Sequence, residues 1–84
     1  MAESAKDRVT ASSERAARAA ERTARAHERA AVEHERHAEV AEQLGENLED
    51  AHRAREAAQR TRVAARLDRE VAERERAIAD GVSD

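Results

Sequence analysis

Apolar positions along this chain return every seven residues, and the charged positions between them keep the same step. From position 13 the chain reads SERAARA, AERTARA, HERAAVE and HERHAEV, and a fifth unit, AEQLGEN, begins the same way before breaking at Gly45. Glu14, Glu21, Glu28, Glu35 and Glu42 form one column, Arg15, Arg22, Arg29 and Arg36 a second, and Ala17, Ala24, Ala31 and Ala38 a third. Seven residues make two helical turns, so each column holds one side of a long helix with a fixed contact seam. Propensity agrees with pattern, since Ala, Arg and Glu are good helix formers and proline is absent.

The ends of the helices can be read from their punctuation. Ser4 with Asp7 three residues on is a variant of the capping box, and predicts a first helix over about 5–44. Gly45 suits the left-handed position that closes a helix, and Asn47 is a strong N-cap type with Glu49 and Asp50 in the following first turn. A turn at 45–47 and a second helix over about 48–80 follow, with Gly81 as its stop and 81–84 as a tail. So short a connection makes antiparallel neighbours.

One heptad column, Val9, Ala16, Thr23, Ala30, His37, Leu44, Ala51, Ala58, Ala65, Ala72 and Ala79, runs through without interruption. Its companion does not. Ser13, Ala20, His27, His34, Ala41 and Leu48 would continue as Arg55, Arg62, Arg69 and Arg76, so the second seam is built instead from Ala57, Ala64, Val71 and Ile78, helped by Ala54. This register change at the Gly-Glu-Asn segment favours a hairpin over the alternative, a single continuous helix in a coiled-coil dimer.

The fold class is therefore all-α, a single helical domain over 1–84 forming a long antiparallel hairpin of coiled-coil type. Phe, Tyr and Trp are absent and most apolar residues are alanine, so one hairpin buries little area. A dimer making a four-helix bundle is the expected minimum assembly. Its predicted seam comprises Ala20, Ala24, His27, Ala31, His34, Ala38, Ala41, Leu44, Leu48, Ala58, Ala65, Val71, Ala72 and Ile78. In shape alone, such a dimer resembles the two-hairpin dimers of plasmid copy-control proteins.

Composition narrows the function classes. The net charge of −3 argues against a general nucleic-acid binder, and no aromatic residue is present to stack on bases. The arginine columns sit beside glutamates, with Glu14 to Arg18 and Glu21 to Arg25 as expected i,i+4 pairs. No stretch nears a membrane span and the first ten residues lack the apolar core of a signal peptide, so a cytoplasmic protein without membrane attachment is expected. Nucleophilic cysteine, catalytic serine order and glycine-rich phosphate loops are all absent, and enzyme activity is not expected.

The histidines carry the remaining candidate chemistry. His27 and His34 replace alanine in the seam, where protonation would place charge in a dry contact and weaken association below about pH 6. His34 and His37 are three apart on one face, and His52 is expected nearly across from His37 with Glu49 one turn away. His34, His37, His52 and Glu49 are thus the candidate ligands of a divalent metal, although no cofactor is required. The primary expectation is a self-associating interaction or scaffold protein, with an unidentified protein partner as a further possibility. One alternative is a metal- or pH-responsive bundle. Another is a protectant that is disordered until dried, because the Ala-rich, aromatic-free, charge-dense composition resembles the late-embryogenesis-abundant type.

Overall fold

The computed structural model describes residues 4–45 and 47–83 and shows two helices, α1 (Ala5–Leu44) and α2 (Leu48–Ser83), folded back on each other. Both predicted N-caps are in place. The Ser4 hydroxyl accepts from the Asp7 amide at 3.1 Å, and the Asn47 side-chain oxygen accepts from the Asp50 amide at 3.1 Å. Gly45 closes α1 with φ +65°, its amide donating to the Glu42 carbonyl, and Asn47 also takes a positive φ of 44°. Between them residue 46 of the expected turn lies outside the described residues, as does residue 84 of the expected tail. Gly81 does not stop α2, which continues to Ser83. An interior glycine costs a helix only ~1 kcal/mol, too little to end it against the neighbouring turns.

The hairpin is 66 Å long and 19 Å across its wider face. Its interior is a row of alanine methyls. Ala17, Ala24, Ala31 and Ala38 of α1 are at most 1% exposed, and Ala51, Ala54, Ala58, Ala65, Ala72 and Ala79 of α2 are also buried. Ser13, at the head of the neighbouring Ala20, His27, His34 and Ala41 column, is buried too, and no buried side-chain polar atom among the described residues lacks a partner. Side chains this small let two helices approach closely over nine turns or more, and nothing larger is fully buried.

The column that runs unbroken through the sequence is split by the fold. Its second half, Ala51 to Ala79, is the α2 interior, whereas its first half, Val9 to Leu44, lies outside the α1 interior. The turn breaks the phase, so the interior row of α1 is Ala17 to Ala38 instead. Of the predicted seam, Ala24, Ala31, Ala38, Ala58, Ala65 and Ala72 are interior, and Ala20, His27, His34 and Ala41 are half-buried beside it. Leu44, Leu48, Val71 and Ile78 are exposed in the single hairpin.

Candidate interaction surface

Each interior alanine row has two flanks, and the two flanks differ in chemistry. Four residues beyond Ala17, Ala24, Ala31 and Ala38 on α1 stands a glutamate, and four beyond Ala51, Ala58, Ala65 and Ala72 on α2 an arginine, both on the same flank. They pair across the hairpin. Arg55 Nε donates to Glu42 at 2.7 Å, Arg69 Nε to Glu28 at 3.0 Å and Arg76 Nε to Glu21 at 2.9 Å, with Arg62 bonded to Glu35 between them. Seven residues backward on α1 match seven forward on α2 at every rung. The front of the hairpin is therefore a four-rung ion-pair ladder.

This ladder corrects the pairing expected from sequence. Glu21 bonds Arg76 on the other helix rather than Arg25 on its own, and no Glu14–Arg18 ion pair forms among the described residues. The Arg55 to Arg76 line is thus a set of cross-hairpin partners. Hydrogen bonds from Arg76 and Arg62 hold the carboxyls of Glu21 and Glu35 below their ordinary range, against a smaller opposing effect of desolvation. Glu35 in turn raises Arg62 above its ordinary value. Every rung is solvent-exposed, where ion pairs add little stability. The spacing matters more, because sliding one helix by a turn would break all the rungs together.

The opposite flank, the back, is richer in apolar residues, interrupted by histidines, threonines and three acids. Three and six residues beyond the interior alanines stand Ala20, His27, His34 and Ala41, then Ala16, Thr23, Ala30, His37 and Leu44, with Val9 at the far end. The matching α2 columns are Ala54, Thr61, Asp68 and Glu75, then Asp50, Ala57, Ala64, Val71 and Ile78. Two bonds tie the back together: His37 Nε2 to Asp50 at 2.8 Å, and His27 Nδ1 to Asp68 at 2.7 Å. A shallow groove near the turn, lined by His37, Val40, Ala41, Leu44, Asn47 and Asp50, opens on this side.

The histidine candidates are dispersed. Across from His37 stands Asp50, not His52, which lies on the other flank 2.9 Å from Glu56 in its own helix. Glu49 pairs with Arg53, and His34 is half-buried on the back. His34, His37, His52 and Glu49 do not converge, and no group of three or more such side chains among the described residues is placed to hold a metal. The dry seam contact expected at His27 is instead a hydrogen bond, the ring lying 2.7 Å from the Asp68 carboxylate. Sequence reasoning missed Asp50 and Asp68. The signal was available for Asp50, an acid heading a column that continues as Ala57, Ala64, Val71 and Ile78, and was weaker for Asp68, which shares its column with Ala54, Thr61 and Glu75.

No protein-family model, no curated protein and no solved structure matches this chain. Among the described residues no helix is long and apolar enough to cross a membrane.

Proposed function

We propose that this protein is a small structural interaction module that works by self-association, burying the back of one hairpin against a second apolar surface of the same kind. One observation carries the reading. Val9, Val32, Val40, Leu44, Leu48, Val63, Leu67, Val71 and Ile78 are all exposed, while the interior holds only alanine and one serine. Proteins ordinarily place their large aliphatics inside, and an exposed set of them marks a surface awaiting cover. Val9, Val71 and Ile78 stand in the back columns, with Val40 and Leu67 bordering them, so most of this set belongs to one face.

The ladder contributes selectivity on the other side. A front face of alternating charge, already satisfied within the hairpin, offers little to a second protein and favours solvent. The reading assigns no reaction and no cofactor, and predicts a coiled-coil dimer as the working species. Sedimentation equilibrium across a hundredfold range of protein concentration tests it. The expected result is a monomer–dimer equilibrium in which helix content rises with concentration. A monomer of unchanged helicity throughout that range would overturn the reading.

A further inference from the structure

We infer that the second copy docks with its two-fold axis parallel to the helices, so that α1 of each copy lies on α2 of the other and both turns sit at one end. The inference rests on the self-association proposed above and specifies its geometry. In this arrangement every neighbouring helix pair in the bundle is antiparallel, and α1 meets the second copy's α2 at the heights found within one hairpin. Residues counted off equally from the turn are then level.

The rims of the back face decide between this arrangement and the one with turns at opposite ends. The α1 rim is Ser12, Ala19, Ala26, Glu33 and Val40, small except near the turn and carrying a single acid. The α2 rim is Arg53, Arg60, Leu67 and Arg74, bulky and basic. Glu33 lies thirteen residues before position 46 and Arg60 fourteen after it, so the one acid of the first rim is level with a central arginine of the second. By the same count Ala26 is level with Leu67, and Ala19 with Arg74. Large side chains face small ones, and the arginine stems can lie over alanine methyls with their charged heads in water.

These rims cannot meet within one hairpin, because they are its two outer borders. Arg60 makes no ion pair among the described residues, and Glu33 reaches only Arg36 of its own helix. With turns at opposite ends, α2 would instead run along α2 and set Arg53 against Arg74, where like charges repel across a partly dry contact. The footprint is ample. A face 66 Å by 19 Å exceeds the roughly 800 Å² that a standard interface takes from each partner. Leu44, 64% exposed and in a back column beside the turn, comes to the shared end when the turns come together.

The chain contains no cysteine, so Gln43→Cys gives a single spin-label site beside the turn. Pulsed dipolar spectroscopy on the full-length labelled protein should give a distance of roughly 20–35 Å, a few helix diameters, for turns at one end. A dimeric mass with a label distance near the 66 Å hairpin length would overturn this geometry while leaving self-association intact. A monomeric mass with no dipolar signal would overturn both. Charge reversal gives a second readout: Glu33→Arg or Arg60→Glu alone should weaken the dimer about tenfold or more, and the two together should restore it. A double variant no tighter than the singles would also refute the geometry.

Discussion

An alanine interior makes a sharp prediction, because a larger residue there should harm a protein that is short of apolar burial. Ala38 is 0% exposed and packs with Ala51 and Ala54 across the hairpin, with Ala41 alongside. Leucine at 38 would add three heavy atoms where alanine already fills the space between two helix backbones. Transfer of the added carbons out of water favours folding at ~0.8 kcal/mol per methylene, but overpacking a filled contact gives a net loss of about 1–3 kcal/mol. For a domain of this size each kcal/mol lowers the melting temperature by roughly 4–8 °C. Ala38→Leu should therefore melt lower by about 4 °C at the least, as followed by circular dichroism at fixed protein concentration. Val32→Leu, at an exposed site on the same helix, should stay within about 0.5 kcal/mol of the parent.

A double-variant cycle separates overpacking from any general effect of leucine. Ala51→Gly removes the methyl facing Ala38 and costs up to ~1 kcal/mol through helix propensity alone. If space is the issue, Ala38→Leu with Ala51→Gly should be less destabilised than the two single losses added together, with a coupling of about 0.5 kcal/mol or more. Strict additivity, or a leucine variant that melts at or above the parent temperature, would show that close helix approach does not set the interior. The steric account of the alanine row would then fail.

Three further expectations follow from the ladder and the turn. Glu28→Arg should lower the melting temperature through repulsion from Arg69, and adding Arg69→Glu should recover it; the effect should shrink in 1 M salt, and an unrescued double variant would refute the cross-hairpin pairing. Glu21 and Glu35 titrate below their ordinary range in the folded state, so the stability they contribute is complete above that range and is lost as pH falls through their lowered values. Acid unfolding should accordingly steepen below about pH 4 and be flatter in Glu35→Gln, with an unchanged slope counting against the assignment. A Cβ at Gly45 would meet no atom within 4 Å, so Gly45→Ala should cost only the left-handed backbone conformation, about 1 kcal/mol by chemical denaturation, and Gly45→Asn less.

Much of this architecture was legible in sequence because it depends on local chemistry. Ser4, Gly45 and Asn47 act through bonds to residues within four positions, so their roles follow from spacing alone. Phase across the turn was less legible. The continuous Val9 to Ala79 column suggested one seam, yet the connection rotates α2 so that its alanines face a different α1 row. The same rotation explains the other departures. It sends Glu21 to Arg76 instead of Arg25, and sets Asp50 rather than His52 beside His37. Heptad spacing reports which residues share a side of one helix. It does not report which side of the next helix they meet.

Size sorting ties the hairpin interior to its exterior. Close approach of two helices requires small side chains along the line of contact, and the chain supplies alanine there throughout. Each alanine buries little apolar area, so the folded hairpin gains less per residue than one built on leucine. The Val, Leu and Ile side chains excluded from that line have to stand elsewhere. On the front they would interrupt the ladder, and the large aliphatics on that side reduce to Val32, Leu48 and Val63. Val9, Val40, Leu44, Leu67, Val71 and Ile78 fall on or beside the back, where the polar members of the inner columns are Ser13, Thr23, Thr61, the histidines, the two acids bonded to histidine, and Glu75. A narrow interior and a sticky back are thus two results of one choice of residue size. The largest apolar side chains stand outside the hairpin interior, and the proposed self-association would bury those on the back.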